Sequence, residues 1–270
     1  MIMQQRPGPR VALHDPMTKN MSLSRVHIGC SGWNYRDWRG AFYPEDLPAK
    51  RWFAFYAEQF DTVEINNSFY RLPKAETFDA WREQARAGFC YAVKANRFIT
   101  QAKKLKDCEE PLARMIAPTR HLRPVLGPIL YQLPPSLHLN LDRLEAFLKL
   151  LPDDLLHVFE FRDTSWYIDA TLDLLDRFGA GFVTHDFPKK ASPRWVSGGI
   201  VYIRFHGGTG KYVGRYSEKR LQDWTGWIAE QARAGRSVWA YFNNDTEAAA
   251  IDDALTLKAM IRQILPGVAH

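Results

Sequence analysis

The chain is poor in cysteine and has no long apolar run. Three cysteines stand among its 270 residues, and Cys30, Cys90 and Cys108 form neither a CxxC pair nor a regular spacing, which argues against a structural zinc site and a disulfide framework. No apolar run approaches the roughly 18 residues that span a bilayer, and the first residues lack the apolar stretch of a signal peptide. We therefore expect a cytoplasmic protein with reduced thiols and no membrane contact.

The composition is that of a globular protein. Hydrophobic residues make up 46% of the chain and charged residues 24%, so the chain can bury a full core, and its length suits one α/β domain of about 250 residues. Residues 1–25 differ, since they hold four basic residues, one acidic residue and three prolines. This predicts a poorly ordered tail over residues 1–25 and a folded domain over residues 26–270. The tail carries half of the net charge of +6, so the basic character of the chain says little about a nucleic-acid face.

Short apolar segments of strand length alternate with segments of helix length from residue 26 onward. This alternation is typical of a parallel sheet with helical crossovers. Eight such strands favour a single TIM (β/α)8-type barrel over a doubly wound sheet, which usually has fewer strands. The predicted strands are Val26–Cys30, Thr62–Asn66, Phe89–Asn96, Pro128–Leu133, His157–Arg162, Gly181–Asp186, Ile200–His206 and Ser237–Asn243.

Apolar residues at helical spacing fill most connections between these strands. The pattern is clearest in segments 52–60, 78–85, 144–151, 172–178, 221–228 and 251–260. Two connections fit less well: Arg97–Gly127 is long and contains Pro111 and Pro118, and Phe187–Gly199 has no clear helical period.

Polar residues alternate with apolar ones near the ends of five predicted strands. Because side chains of a barrel strand point alternately into the lumen and toward the helices, the polar set must face the lumen, near the C-terminal strand ends where barrel active sites form. A network of mutually satisfied salt bridges that closes the barrel end is the structural alternative. The desolvation cost of several kcal/mol per buried ion favours a functional site. The polar set is Glu64, Asn66, Lys94, Asn96, Gln132, Glu160, Arg162, Tyr202, Arg204 and His206.

Seven sequence blocks occur together in an order that resembles one known family. They are IGCSGWNYRDWRGAFYP, DTVEINNSFYRLP, AVKAN, GPILYQLPPS, FEFRDTSWY, YIRFHG and YFNND. Across roughly residues 26–260 the chain resembles the YecE-like family, the domain-of-unknown-function family numbered 72. The resemblance implies a TIM barrel with a pocket at its C-terminal face, and it implies no established activity. The positions that match the family's pattern are Glu64, Asn66, Phe69, Tyr70, Arg71, Lys94, Gln132, Glu160, Arg162, Trp166, Arg204, His206 and Asn243.

Two positions depart from the pattern of that family. Gln101 follows Thr100 where the family usually has histidine, and Asp163 follows Arg162 where the family often has histidine. A catalytic role of either histidine elsewhere in the family would therefore not carry over to this chain.

Glu64, Lys94, Glu160 and His206 are the predicted catalytic residues. The two glutamates are candidates for proton transfer, because desolvation raises the pKa of a carboxyl group while a neighbouring cation holds another ionised. Lys94 is predicted to be an electrostatic clamp, since nearby carboxylates would keep it protonated. The alternative for Lys94 is a Schiff-base nucleophile whose pKa is depressed by guanidinium groups. His206 suits proton transfer near neutral pH, or it is a hydrogen-bonded structural residue.

The charge balance of the predicted site favours a small anionic ligand. Three carboxylates and four cations give a net charge of about +1, and the cations would compete with a metal ion, so we predict neither a metal site nor a cofactor. Arginine side chains suit bidentate binding of phosphate or carboxylate. The predicted ligand-binding residues are Trp33, Asn66, Tyr70, Arg71, Asn96, Gln132, Arg162, Asp186, Arg204, Gly207, Lys211 and Asn243.

The segment HGGTGKYVGRYS after the seventh strand adds to this expectation. Its glycines could expose backbone amides beside Lys211 and Arg215, and phosphate sites in barrels often follow strands seven and eight. The glycine spacing is not that of a Walker loop. The alternative is a flexible rim loop with incidental glycines.

Three functions are compatible with these features. The leading prediction is an enzyme that performs general acid–base chemistry on a phosphorylated or carboxylated, sugar-like molecule. The second is a nucleic-acid binder or phosphodiesterase similar to barrel repair endonucleases, in which the aromatic and basic residues of segment 33–39 form a stacking platform rather than a wall of the mouth. The third is a non-catalytic ligand sensor. The sequence does not choose among them, because one fold hosts many chemistries, and it does not fix the oligomeric state.

Overall fold

Eight parallel strands form a nearly closed barrel in the computed structural model, which describes residues 26–187 and 190–266. The TIM-barrel prediction is confirmed, and each of the eight predicted strands overlaps an observed one. The predicted tail over residues 1–25 lies outside the described residues. The strands are β1 Val26–Cys30, β2 Thr62–Ile65, β3 Cys90–Lys94, β4 Leu126–Gln132, β5 His157–Glu160, β6 Gly181–His185, β7 Ile200–Phe205 and β8 Ser237–Phe242.

Helices cover the outside of the barrel. The long connection between β3 and β4 contains α4, which tolerates Pro118 at its end and buries an apolar face that includes Leu112, Met115 and Ile116. The connection between β6 and β7 has no helix in its described residues, as its lack of period predicts. The helices are α1 Trp52–Gln59, α2 Asn67–Tyr70, α3 Ala75–Gln84, α4 Glu109–Thr119, α5 Leu141–Leu148, α6 Asp169–Arg177, α7 Glu218–Arg233 and α8 Ala249–Ile264. Within the described ranges, none of these helices is both long and apolar enough to cross a membrane.

The seam between β1 and β2 is closed by a side chain. Hydrogen-bonded neighbours follow the order β1-β8-β7-β6-β5-β4-β3-β2. At the seam the Cys30 amide donates to the hydroxyl of Tyr56 over 2.9 Å, and that hydroxyl donates to the Thr62 carbonyl over 2.9 Å. Gly29 permits this approach, because a Cβ atom there would lie 2.3 Å from the Thr62 carbonyl oxygen. Tyr56 therefore substitutes for strand pairing at this position.

The barrel lumen is apolar below and polar at its C-terminal end. Its lower layers hold a separate apolar cluster that includes Leu130, Val158 and Tyr241. Apolar residues of opposite parity, such as Val63 and Ile65 of β2, join the cluster between the strands and the helices. The period-two alternation therefore places the polar set at the C-terminal mouth, as expected.

Candidate functional site

A buried ion cluster forms the floor of the barrel mouth. We use this name for Glu64, Glu160, Arg162 and Arg204. Arg204 of β7 is fully buried and donates from Nε and Nη2 to the two carboxylate oxygens of Glu64, over 3.0 and 2.8 Å. Its Nη1 donates to Glu160 Oε2 over 2.6 Å. The Ser31 and Tyr202 hydroxyls each donate to Glu64 over 2.7 Å, so both oxygens of this carboxylate accept two hydrogen bonds.

Glu160 and His206 are held by the second arginine of the cluster. Arg162 Nε donates to Glu160 Oε1, and Arg162 Nη2 donates to His206 Nε2 over 2.9 Å. Burial raises the pKa of Glu160, but Arg162 and Arg204 outweigh it and hold that pKa well below its usual range. Burial lowers the pKa of His206, and Arg162 and Arg204 lower it further against the opposing charge of Glu160. His206 is therefore neutral, with its Nδ1 proton donated to the Arg204 carbonyl over 3.1 Å.

The geometry of the ion cluster favours the structural alternative for the two glutamates. Every carboxylate oxygen of Glu64 and Glu160 accepts a hydrogen bond from an arginine. Because its lowered pKa keeps Glu160 ionised near neutral pH, Glu160 has no proton to donate, and the lone pairs of both carboxylates are occupied. Glu64 and Glu160 thus position Arg204 and Arg162 rather than offering a free acid or base.

Lys94 lies beside the ion cluster and is not paired with it. Its side chain ends β3, is 9% exposed, and places Nζ 4.2 Å from the centre of the Phe69 ring. Nζ makes no hydrogen bond or ion pair with any residue in the described ranges. Burial and the charge of Arg204 lower the pKa of Lys94 to about 7, although Glu64 and Glu160 act in the opposite direction. Glu64 and Glu160 thus act on Lys94 in the expected direction, but burial and Arg204 act against them, and the role of electrostatic clamp stays a prediction.

A first cavity opens above Lys94 between the ends of β1, β2, β3 and β8. Its volume is about 630 Å³. Aromatic and amide side chains dominate its wall, and two buried acceptor atoms on it have no hydrogen-bond partner, Asn66 Oδ1 and Asp245 Oδ1. Burial raises the pKa of Asp245 to about 7. The side chains on the wall are those of Trp33, Asn34, Tyr35, Ile65, Asn66, Asn67, Tyr70, Trp81, Lys94, Tyr212, Asn243 and Asp245, beside Gly32.

A second cavity lies on the other side of the mouth and shares Tyr212 with the first. Its volume is about 480 Å³. Arg162, Lys190 and Lys211 bring positive charge to it, and its described lining holds no carboxylate. The Arg162 guanidinium packs over the Phe187 ring at 4.5 Å. The remaining lining residues are Gln101, Gln132, Leu133, Pro134, Pro135 and His185.

Two of the four glycines in the segment after β7 use their amides within the loop, and a phosphate site at this segment stays a prediction. The amide of Gly207 donates to the Tyr216 hydroxyl over 2.9 Å, and that of Gly208 donates to the Gly214 carbonyl over 3.1 Å. The amide of Tyr212 is likewise used, on the His206 carbonyl. The glycines also serve close backbone packing, since a Cβ atom on Gly208 would lie 1.9 Å from the Arg215 carbonyl oxygen. Only the Lys211 side chain of this segment's basic residues reaches the second cavity.

Five predicted binding residues line neither cavity: Arg204 belongs to the buried ion cluster, Gly207 to the loop after β7, and the other three are Arg71, Asn96 and Asp186. Arg71 is exposed and lines neither cavity. Asn96 donates to the Ser68 carbonyl over 2.9 Å and accepts from the Phe98 amide, so it stabilises the turn after β3. Asp186 directly follows β6, where it accepts from the His206 amide over 2.8 Å, from the Tyr216 hydroxyl and from Arg220 Nη2 over 3.1 Å. Strand parity placed Asn96 at the end of β3 without showing that local groups bind it.

The aromatic and basic segment 33–39 packs as a wall. Trp38 is fully buried and donates from its indole nitrogen to the Asp245 carbonyl over 2.8 Å. Tyr35 donates to the Ser31 carbonyl, and Trp33 contacts Phe53 and Trp81 edge-on. A buried Trp38 offers no face to a nucleic-acid base.

The two departures from the family pattern have local roles. Gln101 donates from Nε2 to the Gln132 carbonyl over 2.7 Å at the edge of the second cavity. Asp163 accepts from the Ser165 amide and lies 3.2 Å from His138 Nδ1. Across residues 26–187 and 190–266, no three histidine, cysteine or acidic side chains are grouped so that they could hold a metal ion.

Asp245 and Ser31 were not predicted as site residues, and Tyr202 was predicted to face the lumen without a catalytic or binding role. Tyr202 shares the parity of Arg204, and this was the available signal for it. Ser31 and Asp245 follow β1 and β8, where no alternation operates, and only their places in the blocks IGCSGW and YFNND marked them.

Comparisons with known proteins agree with this architecture. The family described as "Protein of unknown function DUF72" matches residues 27–268. The UPF0759 protein YunF of Bacillus subtilis (strain 168) is 24% identical over 278 residues, which covers 90% of this chain and 97% of that protein. The UPF0759 protein YecE of Escherichia coli (strain K12) is 28% identical over 145 residues, covering 53% of this chain and 50% of that protein.

Solved structures show the same fold. A crystal structure of a DUF72 family protein from Thermotoga maritima MSB8 has a TM-score of 0.78 and 28% sequence identity, over 88% of this chain and 99% of that one. A DUF72 family protein from Enterococcus faecalis V583 has a TM-score of 0.75 at 17% identity, over 88% of this chain and 95% of that one.

Proposed function

The chain belongs to the DUF72 family, as its sequence blocks predict, and we propose that it is an enzyme that performs acid–base chemistry on a small anionic substrate at the C-terminal mouth of the barrel. The observation that carries this proposal is the pair of cavities that meet at Tyr212. One cavity supplies cations, and the other supplies an amine and a carboxyl group whose pKa values both lie at about 7.

The second cavity suits the anionic group of the substrate. Arg162 uses Nε and Nη2 within the site, which leaves Nη1 without a hydrogen-bond partner among the described residues. Lys190 and Lys211 line the same cavity and are exposed. Guanidinium and ammonium groups without a facing carboxylate favour phosphate or carboxylate, because each contact is a charge-assisted hydrogen bond.

The first cavity suits the uncharged part of the substrate. Aromatic faces and amide groups together favour a ring or chain that carries hydroxyl groups, since the faces pack against carbon and the amides bind oxygen. Asn66, Asn67 and Asn243 bring amide groups to this wall and Asp245 brings a carboxyl group, which are hydrogen-bond partners for such hydroxyls. A phosphorylated or carboxylated sugar-like molecule that spans both cavities satisfies these groups together.

Lys94 and Asp245 are the proposed proton-transfer groups. A catalytic acid or base works best when its pKa lies near the working pH, and these two side chains meet that condition on one cavity wall. Glu64, Glu160 and His206 act as positioning residues, because their hydrogen bonds fix Arg204 and Arg162.

Anion binding is the test of this proposal. Thermal shift and calorimetry with inorganic phosphate, sugar phosphates and sugar acids should identify at least one ligand. Removal of both exposed cations of the second cavity, by Lys190→Ala with Lys211→Ala, should weaken binding of that ligand at least tenfold, since a hydrogen bond to a charged group contributes about 1.5–3 kcal/mol. Lys219→Ala, on the outer helix α7, is the matched control and should leave the affinity unchanged.

Two outcomes would overturn the proposal. The first is the absence of any shift with every anion in the panel. The second is binding that the double variant and the Lys219→Ala control weaken equally, which would indicate a diffuse charge effect. A single-stranded oligonucleotide that binds with steep salt dependence would favour the nucleic-acid alternative instead, and binding without turnover of any ligand would favour the sensor.

A further inference from the structure

We propose that Lys94 forms a Schiff base with its substrate, so that the substrate is an anionic aldehyde or ketone. This inference rests on the proposed function and names the substrate class of the same site. It departs from the role of electrostatic clamp that the sequence favours for this lysine.

The surroundings of Lys94 expose its amine to the first cavity while leaving it unpaired. Nζ lies at the end of β3, with Phe69 on one side and the cavity on another. The two nearby carboxylates that would bind an ammonium group are taken by Arg204, which uses three of its nitrogens on them. A lysine used as a clamp needs a permanent charge, whereas a nucleophilic lysine needs a lone pair.

Burial and four nearby charged groups together set the pKa of Lys94. Burial, Arg204 and Arg162 lower its pKa, Glu64 and Glu160 raise it, and the net result is about 7. An ordinary lysine has a pKa of about 10.4, so at neutral pH the neutral fraction of Lys94 exceeds that of an exposed lysine by roughly a thousandfold. This excess supplies selectivity in any reaction that needs the free amine.

Schiff-base formation also needs an acid, and Asp245 supplies one on the wall of the same cavity. Its Oδ1 is buried and unpartnered, and the indole of Trp38 holds its backbone carbonyl in place. Because burial holds the pKa of Asp245 at about 7, a protonated carboxyl remains available at neutral pH.

The proposed step balances without any redox partner. The lone pair of Nζ attacks the carbonyl carbon, and a proton moves from nitrogen to the new alkoxide, which gives a carbinolamine. Asp245 then protonates the carbinolamine hydroxyl, the C–O bond breaks, and water leaves as the nitrogen lone pair forms the C=N bond. The product is an iminium ion and an aspartate anion, and addition of water reverses the sequence.

Reductive trapping tests the inference. Glyoxylate, pyruvate and glyceraldehyde 3-phosphate are incubated in turn with the full chain and sodium cyanoborohydride, and the labelled residue is located by peptide mass spectrometry. We expect labelling by at least one probe to concentrate on Lys94 at neutral pH. Its rate should be greatest near pH 7, because Lys94 becomes neutral and Asp245 loses its proton at about that pH, whereas labelling of exposed lysines continues to rise toward about pH 10.

Variants separate this inference from the proposed function. Lys94→Met and Lys94→Arg should lose the label, while Lys219→Met keeps it. Asp245→Asn should slow labelling several-fold without moving it to another residue. If the label in the wild-type protein is spread over exposed lysines while sugar phosphates still bind, the Schiff base is overturned and the proposed function remains. Failure of every anion to bind overturns both. If the Lys94 variants do not fold, the position of the label in the wild-type protein decides whether Lys94 forms the Schiff base.

Discussion

Replacement of Arg204 by methionine tests whether the ion cluster is a structural unit. Methionine keeps an unbranched side chain of comparable length and removes the guanidinium group. Arg204 donates three hydrogen bonds, two to Glu64 and one to Glu160, and all three residues are fully buried. The variant therefore leaves two carboxylates in the barrel lumen without their shared cation.

The expected loss follows from the remaining partners. Three charge-assisted hydrogen bonds at about 1.5–3 kcal/mol each set an upper limit of roughly 5–9 kcal/mol. The true cost is smaller, since Glu64 retains its Ser31 and Tyr202 donors and Glu160 retains Arg162. Removing one partner of a buried ion pair typically costs about 3–5 kcal/mol, and we expect Arg204→Met to fall in that range.

The pH dependence of the variant provides a second signature. The folded-state pKa of Glu160 lies well below its unfolded value of about 4.3. This group therefore contributes stability above the unfolded pKa, and the contribution is lost as the pH falls through the folded pKa. Because Arg204 supplies part of that depression, the difference in unfolding free energy between wild type and variant should be largest near neutral pH and shrink below about pH 4.

Urea unfolding followed by tryptophan fluorescence measures both effects. Tyr202→Phe is the graded control, since it removes one hydrogen bond to Glu64 and should cost only about 1–2 kcal/mol. The explanation fails if Arg204→Met costs less than about 1 kcal/mol at neutral pH, or if its cost does not change in acid.

Three further predictions concern closure of the barrel, a buried histidine and the glycine segment. Tyr56→Phe removes the hydroxyl that joins β1 to β2, and it should lower the free energy of unfolding in urea by about 1–3 kcal/mol. Hydrogen exchange at the Cys30 amide should become faster, and unchanged exchange would contradict this role of Tyr56. The pKa of His206 is lowered in the folded state, so the unfolded state binds a proton that the folded state does not. The free energy of unfolding should therefore decrease below about pH 6.5 by up to about 1.4 kcal/mol per pH unit, and this decrease should be smaller in His206→Gln. Gly208→Ala should destabilise by about 1–3 kcal/mol through its backbone clash, whereas Gly226→Ala, in open space within α7, should stabilise by about 0.5–1 kcal/mol in the same melting assay.

Strand periodicity carried the fold prediction, because the two faces of a barrel strand are chemically different. In β7, Arg204 points into the lumen and Ile203 joins the core under the helices, as the alternation requires. The same argument does not give distances. Parity places Glu64, Lys94 and Arg204 on one lumen face, yet it does not reveal that Arg204 takes the carboxylate and leaves the lysine unpaired.

Residues beyond the strand ends are harder to predict, since their side chains follow loop geometry. Asp245 reaches the first cavity from the loop after β8, and no period marks it. The amides of Gly207 and Gly208 looked available because glycine is sterically free, but loop closure uses them. Sequence composition identifies which chemical groups are near the mouth, and only the folded backbone determines which of them remain unsatisfied.

The ion cluster explains why Lys94 stays unpaired, which links the stability of the barrel to the chemistry of the mouth. Two glutamates beside a lysine would ordinarily hold it as an ammonium ion, because opposite charges at short range favour the charged form. Arg204 is a permanent cation and occupies both carboxylates, so that its own charge then acts on Lys94 to lower the pKa. Burial is the first cause of that lowered pKa, and Arg204 adds to it while it binds the two carboxylates that would otherwise pair with the lysine. The cation that holds the barrel floor together therefore also leaves the amine of Lys94 without a counterion.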